Sequence, residues 1–354
     1  MDRGGTTVWV WGDQLHRDLA HLRDRDPGAT RVLMVVSDRK LTERPWHRQK
    51  LHLVLTAMRR FAAELADEGF AVDLRRAPSM RAGLAAHLDA HAPDAVVAME
   101  PASRAGTATL GRLDVELVPN DHFLCHWEEF AAFTAGRRRT TMEDFYRWRR
   151  AATGWLMDGE EPVGGRWNLD AENRRPPHAG LAAEAAEVPP VVDPPDALDA
   201  DLATWLPADV RTFGAPWDGT WATSRTQALA RLERFVTRVL PRFGDHQDAM
   251  VAGAWHLNHS LLSHALNLGL LHPREVCEAV VAEHDAGRAP LNAVEGFLRQ
   301  VLGWREYLWG VSRTAPDDYA DENALGADQP LPPALTGAAP TEMRCLADTL
   351  TSVH

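Results

Sequence analysis

A parallel α/β domain followed by an all-α domain is the architecture this sequence predicts, on three observations. Short apolar runs alternate with amphipathic helical patterns over about the first 130 residues. A stretch dense in Pro, Ala, Asp and Gly, from Pro176 to about Thr220, then interrupts the pattern. After Trp221 the periodicity is helical throughout.

Residues 6–11 (Thr-Thr-Val-Trp-Val-Trp) and 31–36 (Arg-Val-Leu-Met-Val-Val) have the length and Val content of buried strands. Shorter candidates follow near 71–75, 95–100 and 114–118. Between them the clearest helix runs from about His47 to Glu68, with Leu51, Val54, Leu55, Met58, Phe61 and Leu65 on one face. Strand alternating with helix implies a parallel sheet covered on both sides. Ligands of such sheets sit beyond the carboxyl ends of the strands, and Gly12-Asp13-Gln14 falls there, after the first strand. No Gly-x-Gly-x-x-Gly accompanies it, so a dinucleotide dehydrogenase has little support. The 176–220 stretch, with Pro189-Pro190 and Pro194-Pro195, reads as a long interdomain linker, extended and mostly without regular structure. Helices are predicted over 223–240, 261–269, 273–286, 291–311 and 341–354.

The chain has 354 residues, 45% hydrophobic and 25% charged, enough for two domains with their own cores. No apolar run approaches the roughly 20 residues that span a bilayer, and the N-terminus lacks a signal-peptide apolar region. A cytoplasmic protein without a membrane partner is expected. Cys125, Cys277 and Cys345 are odd in number and far apart, which argues against a disulfide framework. Cys125 and Cys277 read as core residues rather than nucleophiles. Three thiols also cannot complete a four-thiolate metal or iron–sulfur site. A net charge of −12 leaves no global basic footprint for nucleic acid. Locally, residues 137–150 carry six arginines against Glu143 and Asp144. Interleaved with Phe145, Tyr146 and Trp148, they could contact DNA or form a solvated face packed on the linker.

Two segments stand out. His259-Ser260-Leu261-Leu262-Ser263 sets two hydroxyls at a predicted helix start, where they could bind phosphate or merely cap the helix. Gly303-Trp304-Arg305-Glu306-Tyr307 puts an indole, a guanidinium and a carboxylate on an apolar helix, as a pocket wall or as a packing seam. Together they suggest a cradle for a ligand with phosphates and a flat ring system. His256, His259 and His264 cluster as well, but without HExxH or an acidic third ligand, capping or ligand hydrogen bonding is favoured over a metal. No Gly-x-Ser-x-Gly elbow or P-loop occurs.

Longer motifs carry a resemblance. Gly12-Asp13-Gln14-Leu15, Phe123-Leu124-Cys125, Met142-Glu143-Asp144-Phe145-Tyr146, Leu156-Met157-Asp158-Gly159 and Gly164-Gly165-Arg166-Trp167-Asn168 are similar to the deoxyribodipyrimidine photolyase-related family. So are 243–250 (Phe-Gly-Asp-His-Gln-Asp-Ala-Met) and 288–297 (Arg-Ala-Pro-Leu-Asn-Ala-Val-Glu-Gly-Phe). These are the iron–sulfur bacterial cryptochromes and (6-4) photolyases, and the resemblance runs in order along the whole chain.

The resemblance implies cryptochrome/photolyase architecture: a Rossmann-like antenna domain over 1–135, carrying a ribityl-lumazine, and an all-α FAD-binding domain over 223–354. Residues 136–222 would be an interdomain linker with a partly helical basic segment. It implies damaged DNA as partner, a monomer, and light-driven repair of pyrimidine photoproducts by electron transfer from FAD. By position, Ser260 and Ser263 match the family's FAD-phosphate loop, lined by Phe243, His259, Leu261 and Leu262. Gln300, Trp304 and Arg305 match the helix against flavin and lesion. Asp13, Gln14, His47 and Lys50 match the antenna region, and Cys345 the first ligand of a [4Fe–4S] cluster that this chain cannot complete. Departures are Val36, where an acid is expected near the antenna, and His246 and His264, where Tyr and Pro are usual. The family continues past the position of His354, so the chain resembles a C-terminally truncated member with repair impaired. A cryptochrome-like blue-light photoreceptor and a non-catalytic chromophore-binding remnant are the alternatives.

Overall fold

The computed structural model describes residues 4–353; residues 1–3 of the expected first domain and His354 of the last expected helix lie outside them. Five strands form one parallel sheet: β1 (Thr6–Val10), β2 (Thr30–Ser37), β3 (Ala71–Ala77), β4 (Ala95–Met99) and β5 (Glu116–Val118). Their order is β3-β2-β1-β4-β5, so strand order reverses between β1 and β4. In β1, Val8 pairs with Val32 on one side and Val97 on the other. Alternation then sorts its side chains. Val8 and Val10 enter the larger core with Met34, whereas Trp9 joins Leu33, Val35 and Ala98 on the opposite face. Burial on both faces is why the inner strands β1, β2 and β4 read as apolar runs.

Helix α1 (Arg48–Asp67) covers the first face through Leu51, Leu55, Met58, Phe61 and Leu65. Helices α2 (Met80–His91) and α3 (Arg104–Leu110) cover the second through Leu84 and Leu110. Ser79 and Ser103 start them by accepting the Ala82 and Gly106 amides. The doubly wound sheet expected from the sequence is therefore present, with a crevice where the strand order turns.

Helices α4 (Trp127–Thr134) and α5 (Met142–Thr153) follow. The arginine-rich segment on α5 divides. Arg150 is fully buried and donates to the carbonyls of Trp155, Leu156 and Trp167, while Arg149 donates to Leu124 O and Glu129. Phe145 and Tyr146 are fully buried, and Trp148 stacks on Phe133 at 4.6 Å. These residues lock α5 into the core and present no face to nucleic acid. Arg138, Arg139 and Arg147 stay exposed.

The stretch 176–220 is mostly irregular, yet it is strapped to α1. Asp196, Asp199 and Asp201 reach Arg60, His52 and Arg59 at 2.6, 2.7 and 2.8 Å. Thr212–Phe213 pairs in parallel with Trp46–His47.

The second half is helical: α6 (Arg225–Arg234), α7 (Ser263–Leu268), α8 (Pro273–Asp285), α9 (Leu291–Leu298), α10 (Glu306–Thr314) and α11 (Arg344–Val353). Two helical paths pass through π-helical turns. Phe235–Val239 extends α6 to Phe243, and Arg299–Arg305 joins α9 to α10. Periodicity does not show such widened turns, which concentrate at functional sites. Gly303 lies in the second, where an added Cβ would meet Met142 Sδ at 3.0 Å.

The serine segment differs from expectation. Helix α7 is six residues long and begins at Ser263; its N-cap is Leu262, with no side-chain cap. Ser260 Oγ instead accepts the Leu262 amide at 3.5 Å, across Leu261, whose φ of +56° is left-handed. A branched side chain rarely takes that conformation, so the bend is a strained turn rather than a capped helix start.

Candidate functional site

The loop after β1 crosses the point where strand order reverses. Gln14, buried, donates from Nε2 to Met99 O at 3.2 Å, fixing the loop to the end of β4. Asn120, after β5, donates to Glu100 O at 2.8 Å and accepts the His122 amide at 3.0 Å. Three strand ends are thereby held together by two amide side chains. Arg305 enters from the π-helical turn. It donates to Glu306 at 2.6 Å and to His122 O at 3.1 Å, and it lies 4.1 Å over the Phe123 ring.

These groups enclose a cavity of about 140 Å³ lined by Asp13, Gln14, Asn120, His122, Asn267 and Arg305. His122 is buried. Burial, reinforced by the Arg305 charge, holds its pKa well below the ordinary histidine range, so the ring is neutral. Burial also raises the Asp13 carboxyl, against its own backbone contact and Lys40.

Asn267 of α7 borders a second cavity as well, of about 480 Å³. His47, Lys50, Leu53, Val54, Trp221, Ser263 and His264 also line it. Gln49 sets one wall, accepting Trp221 Nε1 at 3.1 Å and donating to Pro216 O at 3.0 Å. His264 Nε2 accepts the Ala222 amide at 2.9 Å. Burial and then Arg231 push its pKa down to about 4. An apolar wall with a few convergent polar groups is what a small-molecule site presents.

The structure thus gathers the sequence candidates in a different grouping. Ser263, from the proposed phosphate loop, shares a cavity with His47 and Lys50 of the antenna set. Arg305, from the flavin set, shares the smaller one with Asp13 and Gln14. Trp304 and Gln300 line neither. Trp304 is 43% exposed, and Gln300 donates to Gly296 O of its own helix. Phe243 is core, set edge-on to Phe235 and Phe297 at 6.0 and 5.6 Å. His259 points to Gln247 O at 3.1 Å and His256 to Leu257 O at 3.1 Å, and they do not converge with His264 on a metal position. Sequence reasoning missed Asn120, His122, Trp221 and Asn267, isolated polar or aromatic residues that only the fold assembles.

A wider cleft of about 530 Å³, between Arg175, His178, Arg242 and Asp245, shares no lining residue with either cavity. Arg175 is neutralised there by Asp245 at 2.9 Å, so the cleft is a solvated groove.

The residues present fit the groups named above unequally. A ring with a polyol chain fits the larger cavity, where Lys50, Ser263 and His264 face an apolar wall. For FAD, Trp304 is exposed and Arg305 lines the smaller cavity, whereas Phe243 and Gln300 are committed to their own packing. A [4Fe–4S] cluster does not fit this donor set. Cys125 and Cys277 are buried with raised pKa values, and Cys345 alone is exposed.

Comparison with known proteins identifies the family and the fold. The sequence profile described as deoxyribodipyrimidine photo-lyase-related protein matches residues 8–217. A (6-4) photolyase of Agrobacterium fabrum is 36% identical over 356 aligned positions, covering 97% of this chain and 69% of that protein. Among solved structures, a class III photolyase of Agrobacterium tumefaciens superposes with a TM-score of 0.54 at 17% identity, covering 89% of this chain and 60% of that one. A Synechocystis cryptochrome also gives 0.54, at 14% identity, covering 90% and 63%. The two solved structures establish the photolyase/cryptochrome fold, of which this chain spans under two thirds of their length. With the profile matching more than half of its residues and the identity running nearly end to end, the chain belongs to the deoxyribodipyrimidine photo-lyase-related family.

Proposed function

We propose that this chain serves light-driven, flavin-dependent repair of pyrimidine photoproducts in DNA, with its chromophores held where the sheet crevice meets the helical half. One observation carries the reading: Asn267 borders two cavities, each lined by a histidine that burial keeps neutral, and the larger sets an apolar wall against a few polar groups. Similarity to a (6-4) photolyase along nearly all of this chain supports that class of chemistry.

In this reading the larger cavity takes a ribityl-lumazine antenna, with Lys50, His47 and Ser263 meeting its polar edge and Leu53 and Val54 its ring. FAD lies on the side of the π-helical turn, against Trp304 and Arg305. The chemistry a flavin supplies when bound is photoexcited one-electron transfer. The chain's own groups bind and orient. Neutral His122 and His264 offer hydrogen bonds without adding charge. Arg305 is fixed by Glu306 and Phe123, so it presents a guanidinium already in place. The open indole of Trp304 suits stacking against an extruded base, and exposed Arg138, Arg139 and Arg147 suit phosphate contact.

The test is photorepair. The purified chain with FAD is given an oligonucleotide containing one (6-4) photoproduct, under blue light and in the dark. Light-dependent return of the undamaged oligonucleotide supports the proposal. Retained flavin with a light-driven spectral change but no repair would favour the photoreceptor alternative, and absence of bound flavin would overturn both.

A further inference from the structure

Away from the crevice, on the sheet face covered by α2, three potential ligands meet. We propose that Asp73, His87 and His91 form a binding site for a zinc-class divalent cation, with a fourth position open to water. His87 and His91 are four residues apart on α2, hence on one face, and β3 presents Asp73 to that face. Their ligand atoms all lie within 4.8 Å of one another. Asp73 Oδ2 is 2.5 Å from His87 Nδ1 and 3.5 Å from His91 Nε2. Bonds of about 2.0–2.2 Å in a tetrahedron set ligand atoms about 3.3–3.5 Å apart, so rotamer adjustments on the order of 1 Å suffice.

The surroundings match a metal site in two further respects. Metal-ligating imidazoles bind their other nitrogen to an oxygen partner, which fixes tautomer and ring plane. Here His87 Nε2 meets the buried Thr7 Oγ1 at 2.9 Å. On binding, His87 changes tautomer through solvent: a proton leaves Nδ1, which ligates, and one is taken up at Nε2, which then donates to Thr7. His91 in turn has a buried Nδ1 with no hydrogen-bond partner, and its side chain is 16% exposed, leaving the cation a way in. Two imidazoles and one carboxylate favour zinc-like ions over magnesium or calcium, which take oxygen donors. Arg75 competes for the same carboxylate, with Nε 2.9 Å from Oδ1. Its side chain is 22% exposed and can turn toward water.

The experiment uses the full chain, dialysed against chelator and titrated with Co²⁺, followed by Zn²⁺. One equivalent of Co²⁺ should give the visible bands of a tetrahedral complex, and Zn²⁺ should abolish them. His91→Gln should weaken binding by about tenfold or more, and Arg75→Gln, which frees the carboxylate, should tighten it. The opposite response of Arg75→Gln separates ligation from damage to the fold. Absence of the bands in the parent chain, or equal affinity in His91→Gln, would overturn the assignment.

Discussion

The Leu15 amide donates to the Leu268 carbonyl at 2.9 Å, joining the loop after β1 to the last residue of α7. One hydrogen bond thus couples the sheet crevice to the helix whose Asn267 borders both cavities. The next residue, Gly269, has φ +82°, and a Cβ there would sit 2.9 Å from Leu15 N. Gly269→Ala should cost about 1–3 kcal/mol, from left-handed strain and from prying this contact open. Urea unfolding measures it; a variant as stable as the parent would refute the coupling.

Asn267 itself is exposed, so enlarging it tests the site without touching the core. Asn267→Trp should reduce pigment carried per chain while leaving stability within about 0.5 kcal/mol. Absorbance of the purified protein beside its melting curve decides it, and undiminished pigment would place the chromophore elsewhere.

The arginines of 137–150 should separate by burial. Arg150→Met leaves three carbonyls without their donor and should destabilise by about 3 kcal/mol, at about 1 kcal/mol for each buried acceptor left unsatisfied. Arg138→Glu with Arg139→Glu should leave melting unchanged, weaken oligonucleotide binding and flatten its salt dependence by about two contacts. Equal binding by that double variant would remove this surface from the DNA path.

Acid should destabilise the protein through its neutral histidines. Burial lowers His21 to about 3 and His264 to about 4, while the unfolded chain protonates such rings near pH 6.5. Protons therefore favour the unfolded chain below pH 6.5; stability is complete above that value and falls as pH drops toward 4. At pH 5 each group should contribute a loss of about 2 kcal/mol. Both His21 ring nitrogens are buried without partners, so His21→Leu should remove about one such increment without harm at pH 7.5. An unchanged difference in urea midpoint between pH 7.5 and pH 5 would contradict this.

The sheet was legible because its inner strands are buried on both faces: Val8, Trp9 and Leu33 carry the signal in their own side chains. The face of α1 was legible for the same reason. The serine bend was not, because Ser at a helix boundary reads as a cap whereas Leu261 adopts a left-handed turn. Nor was the smaller cavity, whose Asn120 and His122 lie far from Asn267 in sequence and individually resemble ordinary surface residues. Arg149 and Arg150 misled as candidates for DNA because charge suggests solvent. Their neighbours Phe145 and Tyr146 showed a buried periodicity that outweighed it.

The strap over α1 bears on how the protein is made. Arg48 and Thr212, 3.5 Å apart, are separated by 164 positions, so the partners of Arg59 and Arg60 leave the ribosome well after the helix itself. During synthesis that helix carries bare guanidinium groups along one side. Its final docking awaits residues beyond the sheet, which makes maturation of the amino-terminal half a late event.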